Sequence, residues 1–571
     1  MGKQFQVNTY TNNWQDEPDI LALPNGGFLV TWDSYLNEYD DGPSAYILSG
    51  QRYDASGRRV GSEFLIDGID QAASTEPSIT ALGDGGYAMA WSYSPDGILG
   101  RTQAYVRAFD ADGTPRTKAL RVDTIDLFEA VQPRVVGTQG GGFMVFYTAD
   151  KAGPTFDDVY MRRYDADGDP LGRERRMNTR EDYLDQGIVE TARMANGRIV
   201  ALWNSESTLD TKGDLDSNEL RATVFSPKGE VLRSDVHLSS NFGSAGGGNG
   251  QGFSVAEAGN GFVISQMEYG SRFGTDYLYH VVVQTFDDDA RTTSGRISAF
   301  RTEEVVYSTD VARLSTGEIV VVWEQQPIPK GEVGNDVMAR VLSASGRPLT
   351  AAFEVGLDYS RYDEQSDPVV EALAGGGFVV SYAHDNLDGD HEGIGARIFG
   401  RGTKGNDTVT VDAGNYLSGL GGHDRLNGNS KGNVIHGGAG NDTLLGNGGD
   451  DVLYGGPGRD RLTGGRGADD FVFNGKPNGT NGPDRITDFG GNDQILLDNA
   501  DFRGVGPEGG LSRGAFRVLG EGRVDGSDRI LYDRHDGTLY FDADGSGRGA
   551  RHEFAILNGA PQLDAGDILI I

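Results

Sequence analysis

A nine-residue phrase repeats in strict register over residues 419–472, and it restricts the possible folds more than any other feature of the chain. The six copies are GLGGHDRLN, GNSKGNVIH, GGAGNDTLL, GNGGDDVLY, GGPGRDRLT and GGRGADDFV. Glycines permit the left-handed backbone of a tight turn, and the apolar residue at position eight suits a short strand. Stacked copies predict a parallel β-roll whose core is position eight: Leu426, Ile435, Leu444, Leu453, Leu462 and Phe471.

Position six carries a carboxylate in every copy except the second. Because alternate turns lie on opposite sides of a roll, Asp424, Asp442 and Asp460 form one row, and Asn433, Asp451 and Asp469 form the other. Stacked carboxylates repel one another, and together with turn carbonyls they are the hard oxygen donors that Ca²⁺ prefers. We therefore predict Ca²⁺ as the cofactor, bound through side chains or backbone carbonyls of Gly421, Gly422, Asp424, Gly437, Gly438, Ala439, Gly440, Asn441, Asp442, Gly446, Gly448, Gly449, Asp450, Asp451, Gly455, Gly456, Gly458, Arg459, Asp460, Gly464, Gly465, Gly467 and Asp469.

Two turns depart from the pattern. The copy from Gly428, with Lys431 and Asn433, is expected to bind calcium weakly or not at all. GTKGNDTVT, from Gly402, is predicted to form a first turn that is slightly out of register.

A longer phrase recurs seven times before residue 400, as LPNGGFLVTW, LGDGGYAMAW, TQGGGFMVFY, MANGRIVALW, AGNGFVISQ, LSTGEIVVVW and LAGGGFVVSY. The copies are 56 to 63 residues apart, and each is followed by a second hairpin signal. Repeated four-stranded units are typical of a β-propeller. We predict a seven-bladed propeller over residues 1–400, in which an N-terminal strand within residues 2–11 completes the seventh blade and hides two sheet edges. DADG segments at Asp110, Asp165 and Asp542 are predicted to be hairpin turns.

At the nonapeptides, the chain resembles the RTX, or hemolysin-type calcium-binding, proteins exported by type I secretion. The segments FVFNGKPNGTNGPDRITDFGGNDQILL and LYFDADGSGRGARHEFAILNGAPQLDAGDILII are similar to the C-terminal region of serralysin-type proteins. The resemblance implies an all-β chain with a calcium-binding roll at 401–474 and a cap and secretion region at 475–571. It also implies a secreted, extracellular or surface-associated protein that the type I machinery exports. No HExxH zinc motif is present, so protease activity is not implied.

Composition limits the partners. The formal net charge is −35, which disfavours nucleic acid, and no apolar run is long enough to span a membrane. Cysteine is absent, so disulfides and thiolate sites are excluded.

The connections in the middle of each blade vary in length and composition, so a functional site is expected on the face where they emerge. We expect the propeller to bind an extracellular glycan, matrix component or cell surface, in an adhesion or biofilm role. A different possibility is a polysaccharide lyase or glycoside hydrolase that uses His384, Asp388, His391 and Glu392 for acid/base chemistry. A third is a matrix or surface-layer protein that serves only in assembly, and a solvated acidic loop would explain the same four residues without function.

Overall fold

A computed structural model describes the chain in segments: residues 4–11, 14–35, 46–66, 73–95, 102–124, 129–150, 158–178, 186–206, 218–242, 252–271, 277–326, 334–356, 364–374, 377–385, 392–400, 402, 405–411, 416–477, 482–545, 549 and 551–571. The described residues form β-strands and two short 3₁₀-helices, Arg513–Ala515 and Ala565–Asp567. The predicted all-β class is confirmed.

Seven antiparallel sheets of four strands form the propeller, as predicted. Blades 1 to 3 consist of Gln15–Ala22, Phe28–Tyr35, Tyr46–Tyr53 and Arg59–Leu65; Ala73–Ala81, Tyr87–Ser94, Gln103–Phe109 and Leu120–Arg121; and Glu129–Gly137, Phe143–Asp150, Asp158–Tyr164 and Arg175–Arg176. Blades 4 and 5 consist of Gln186–Arg193, Ile199–Glu206, Asn218–Phe225 and Val231–Phe242; and Phe253–Ala258, Gly261–Ser271, Tyr277–Phe286 and Ile297–Thr302. Blade 6 consists of Val306–Arg313, Ile319–Gln325, Asp336–Leu342 and Phe353–Glu354, and blade 7 includes Gln365–Ala372, Phe378–Asp385 and Glu392–Phe399.

The N-terminal segment supplies the fourth strand of blade 7. Phe5–Gln6 pairs antiparallel with Glu392–Phe399, and the backbone N–H of Val7 donates to the carbonyl of Ile394 at 2.7 Å. The predicted closure of the ring is therefore confirmed. Asp110 and Asp165 begin tight turns between paired strands, as predicted, and Asp542 follows the strand Thr538–Phe541 in a hairpin with His552–Leu557.

Neighbouring blades are joined by two repeated features. One aromatic residue in the second strand of six blades is fully buried: Trp32, Trp91, Tyr147, Trp203, Trp323 and Tyr382. An arginine in the third strand of four blades donates to a carbonyl at the outer edge of the preceding blade: Arg107 to Ile66, Arg162 to Val122, Arg340 to Ala299 and Arg397 to Val355. Large apolar area and charge-assisted hydrogen bonds thus hold adjacent blades together.

The nonapeptides build two sheets that alternate along the chain. The first sheet contains Thr408–Thr410, Arg425–Asn427, Thr443–Gly448, Arg461–Arg466 and Asp484–Ile486, and it continues through His552–Leu557, Thr538–Phe541, Ile530–Asp533 and Phe516–Val518. The second contains Tyr416–Ser418, Val434–His436, Val452–Tyr454, Asp470–Phe473, Gln494–Leu497, Ile568–Ile570 and Gly509–Gly510. Strands within the repeats pair in parallel at a spacing of eighteen residues, for example Leu426 with Leu444 and Leu444 with Leu462. All position-eight side chains are buried in one core, so the predicted roll is confirmed.

Candidate metal centre and central channel

Each row of position-six carboxylates forms a hydrogen-bonded ladder. The Oδ1 atom of Asp442 accepts from the backbone N–H of Asp424, and that of Asp460 accepts from Asp442, both at 2.8 Å. In the other row, Asp451 accepts from Asn433 at 2.7 Å and Asp469 accepts from Asp451 at 2.9 Å. The two predicted rows therefore exist, and one oxygen of each carboxylate is used to join successive turns.

The second oxygen of each carboxylate has a different environment. The Oδ2 atoms of Asp424, Asp442, Asp451, Asp460 and Asp469 are buried and have no hydrogen-bond partner in the described part of the chain. Burial raises the pKa of Asp451 to about 8 and that of Asp460 to about 7, and neighbouring carboxylates of the same row add to the effect. A buried anionic oxygen without a donor is costly unless a cation neutralises it, so these residues fit Ca²⁺. Bound calcium would supply that positive charge between successive turns.

The glycines of the ladder allow the turns to stack closely. Gly422, Gly438, Gly449, Gly456 and Gly465 have φ between 91° and 115°. Gly440, Gly458 and Gly467 have larger positive φ and lie directly against the carbonyl of the turn below. At Gly437, Gly446, Gly455 and Gly464, a side chain would collide with the Oδ2 atom of the same turn. These positions place turn carbonyls beside the carboxylate oxygens, as the calcium prediction requires.

Several predicted ligands also have other contacts. The Oδ1 atom of Asn441 accepts from the N–H of Arg459 at 2.9 Å, and Asp450 accepts from Ala468 at 2.8 Å. The position-five side chains of Asn441 and Asp450 thus join successive turns. A calcium role for Asn441 and Arg459 therefore rests on their backbone carbonyls. Gly421 and Ala439 form a parallel bridge, while Gly448 donates to Asn429. Among the described residues, no three His, Asp or Glu side chains form a metal cluster, so calcium in the ladder would need backbone carbonyls as well as carboxylates.

The turn from Gly428 is closed by its own side chains. The Oδ1 atom of Asn433 accepts from the N–H of Asn429 at 2.8 Å, where the aspartates of other turns have an Oδ2 without a donor. A neutral amide with a satisfied oxygen has little need for a cation. Weak or no calcium binding in that turn stays a prediction.

Two aspartates that the sequence analysis missed continue the ladders. Asp484 accepts from the N–H of Asp460 at 2.9 Å, and Asp493 accepts from that of Asp469 at 3.0 Å. An insertion of six residues hides them, although the D-x-I spacing between Asp484 and Asp493 is again nine. At the other end, the N–H of Asp407 donates to Asp424, seventeen residues away, which matches a first turn out of register.

The inner strands of the propeller surround a central channel of about 590 Å³. Its carboxylates bind the backbone of the adjacent blade: Asp19 accepts from the N–H of Ile79 at 2.8 Å, and Asp310 accepts from Val370 at 2.7 Å. Glu190 pairs with Arg134 at 3.0 Å. These channel carboxylates therefore join neighbouring blades.

The end of the channel toward the variable connections is more acidic. Glu17 and Glu76 lie on β-bulges with positive φ, and Glu17 accepts from the N–H of Glu76 at 2.8 Å. Asp16 and Asp33 are cross-strand partners, and Asp33 is only 1% exposed. Burial raises the pKa of Asp33 well above its usual range, and the charge and hydrogen bond of Asp16 raise it further. Burial and the neighbouring Asp16 therefore favour the neutral form of Asp33.

The predicted acid/base group of blade 7 is only partly described. His384 is fully buried at the end of its strand, and its Nδ1 contacts the carbonyl of Asp385. Burial raises the pKa of Glu392 to about 8, and the charge of Asp16 contributes, so Glu392 belongs to the acidic end of the channel. Asp388 and His391 lie outside the described residues, as do most of the variable connections.

The fold and the ladders define a calcium-binding β-roll joined to a seven-bladed propeller. The RTX calcium-binding nonapeptide repeat family matches residues 418–453 and 445–475 with four copies. The chain therefore carries RTX repeats, and calcium is their cofactor. No curated protein matches the sequence. No helix among the described residues is long and apolar enough to cross a membrane.

Solved structures with similar arrangements include carbohydrate-active enzymes. An α-L-arabinanase from Penicillium chrysogenum is 14% identical with a TM-score of 0.39, covering 69% of this chain and 98% of its own. An α-L-arabinofuranosidase from Fusarium graminearum is 14% identical with a TM-score of 0.40, covering 60% and 99%. An ulvan lyase is 10% identical with a TM-score of 0.38, covering 62% and 82%. Likeness at this level supports no inference about activity.

Proposed function

We propose that this protein is secreted by a type I system and that its propeller then binds an extracellular glycan, matrix component or cell surface. Calcium drives folding of the roll after export, because the stacked carboxylates repel one another until a cation neutralises them. The ladder aspartates with an unpartnered, buried Oδ2 support this step. A calcium titration of the full chain followed by far-UV circular dichroism should show a gain of β-structure; an unchanged spectrum would contradict it.

The observation that carries the binding role is the placement of the roll. It contacts the hairpin turns of blade 6 through Glu318 and Arg347, and these turns lie on the face opposite the variable connections. The acidic end of the channel, with Asp16 and Glu76, therefore points away from the roll. A face with variable connections around a polar channel mouth is a suitable binding surface.

Charge favours certain ligands. Residues 401–571 contain 25 acidic and 17 basic residues, so most of the −35 net charge belongs to the propeller. An acidic face repels polyanions and accepts neutral sugars or amine-bearing polymers more easily. We therefore expect retention of the full chain, in millimolar calcium, on immobilised neutral polysaccharides or chitosan rather than on alginate or heparin. Retention only on the polyanions would contradict this ligand class.

A polysaccharide lyase or glycoside hydrolase is the second candidate, and the Asp16–Asp33 pair favours it. Two cross-strand carboxyl groups, one of which burial biases toward its neutral form, can serve as general acid and base. The test is a time course of reducing ends and unsaturated uronate absorbance on a polysaccharide panel. Activity lost in Asp33→Asn but kept in the exposed control Glu230→Gln would establish an enzyme, and no turnover across the panel would favour the binding role.

A further inference from the structure

One outer face of the roll is apolar, and the other is polar. In the second sheet, most outward side chains at positions seven and nine are buried, among them Val434, His436, Val452, Tyr454 and Val472, whereas Asp470 is half-buried. The equivalent positions of the first sheet include Arg425 and Arg461, which are exposed. A sheet that is apolar on both faces must be covered on both.

Blades 6 and 7 cover the apolar outer face. The outward residues of the second sheet belong to a single hydrophobic cluster with residues of both blades, among them Val337, Phe353, Phe378 and Phe399. Tyr416 lies against Gly400, directly after the last strand of blade 7, and its ring is 5.9 Å from that of Phe378. The propeller and the roll therefore share a core.

Polar contacts fix the position of this interface. The Nε2 atom of His436 lies 3.0 Å from the Oε1 atom of Glu318, and both side chains are at least nine-tenths buried. The His436 ring stacks on Tyr454 at 4.1 Å. Arg347 pairs with Asp470 at 2.9 Å. The buried His436–Glu318 contact and the Arg347–Asp470 ion pair specify one arrangement, because any other leaves these polar groups without their partners.

The interface residues are direct neighbours of the ladder in sequence. His436 precedes Gly437, Tyr454 precedes Gly455, and Asp470 follows Asp469. The turns that calcium orders therefore determine whether the apolar face exists. Blade 7, which that face covers, is also the blade that the N-terminal strand completes.

We propose that calcium binding by the roll stabilises the propeller through this interface, with the strongest effect on blades 6 and 7. A ligand that binds only the folded state stabilises whatever folds together with its site. Because such coupling is reciprocal, a folded propeller also raises the calcium affinity of the roll. Calcium then controls the stability of the propeller as well as that of the roll.

The chain contains a selective probe for this coupling. All five tryptophans, Trp14, Trp32, Trp91, Trp203 and Trp323, belong to the propeller segment, whereas calcium binds in the roll. We expect the tryptophan-detected Tm of the full chain to rise by about 3 °C or more between EGTA and 5 mM calcium. A Tm that is independent of calcium, while circular dichroism reports folding of the roll, would overturn the proposal.

Two variants test whether the coupling passes through this interface. Glu318→Ala combined with Arg347→Ala should reduce the calcium-induced rise in Tm by at least about half while calcium still folds the roll. The control, Arg58→Ala with Glu230→Ala, removes the same two residue types from exposed positions in the turns between the third and fourth strands of blades 1 and 4, and it should keep the full rise. An undiminished rise in Tm in the interface variant would show that this interface does not carry the coupling, and would overturn the proposal.

Hydrogen exchange on the unmodified protein gives an independent test. Calcium should slow amide exchange in blades 6 and 7 more than in blades 2 and 3, because protection follows the free energy of local opening. Equal changes in all blades, or changes restricted to the roll, would overturn the proposal even if the interface variant failed to fold.

Discussion

Replacement of Gly440 by alanine is the most direct test of the stacked-turn geometry. Gly440 has a φ of 143°, in a region that side chains rarely adopt. A Cβ atom there would lie 1.5 Å from the carbonyl oxygen of Gly422 in the turn below. No rotamer relieves this overlap, because both groups are fixed by the backbone.

The magnitude follows from two contributions. A non-glycine residue in this conformation costs about 1–3 kcal/mol. Separating the turns also strains the hydrogen bonds from Gly422 to Ala439 and from Gly440 to Pro457, both 2.9 Å, and each is worth about 1 kcal/mol. We expect Gly440→Ala to lower the free energy of unfolding of the roll by roughly 3 to 5 kcal/mol.

The assay is urea unfolding in saturating calcium, followed by far-UV circular dichroism. Gly475→Ala is the matched control, because no heavy atom of the described residues, apart from its chain neighbours, lies within 4 Å of the position its Cβ would take. This control should stay within about 0.5 kcal/mol of the unmodified protein. A Gly440→Ala variant as stable as the Gly475→Ala control would refute the close stacking on which the calcium ladder depends.

Three further predictions follow from single residues. Leu453→Ala removes a fully buried core side chain and should cost about 2–5 kcal/mol in the same assay, whereas the half-exposed Leu171 should tolerate alanine. Asp484→Asn should reduce the calcium bound in titration calorimetry relative to the exposed control Asp167→Asn, and unchanged stoichiometry would remove Asp484 from the ladder. Burial raises the pKa of Asp19 to about 7, so the stability it contributes is complete below its unfolded pKa and is lost as pH rises toward 8. The tryptophan-detected Tm of the unmodified protein should therefore fall between pH 5 and pH 8, and that of Asp19→Asn should fall less. An equal fall in the two proteins would contradict the raised pKa of Asp19.

The features that the sequence predicts well are those that repeat. A nine-residue period fixes which side chains share a face, so the two rows and the core of the roll follow from counting. Closure by the N-terminal strand follows because a seventh blade with three strands leaves an unpaired edge. Local turn chemistry correctly assigns Asp110 and Asp165 to hairpin turns.

The features that the sequence analysis missed depend on contacts between distant segments. The apolar character of Val434 and Tyr454 is visible in the repeats, but what covers them is set by how the roll meets blades 6 and 7. The insertion before Asp484 breaks the period without breaking the ladder, because the strand Asp484–Ile486 pairs in register with Arg461–Arg466 and Asp484 accepts from the N–H of Asp460. The use of Asp19 by the neighbouring blade requires the closed ring.

The propeller and the roll both supply acceptors for backbone N–H groups between stacked units. A difference in how their aspartates do so explains why the roll binds calcium. In both, stacking repeated units leaves backbone N–H groups that need an acceptor, and an aspartate of the neighbouring unit supplies it. In the propeller, both oxygens of Asp19 accept a backbone N–H, from Ile20 and Ile79. In the roll, Asp442 uses only Oδ1, and its buried Oδ2 has no donor. The propeller contact is complete without a metal, whereas the ladder needs a cation. Chelation of the ladder calcium should therefore act on the roll directly, and on the propeller through the shared core around Tyr416 and His436.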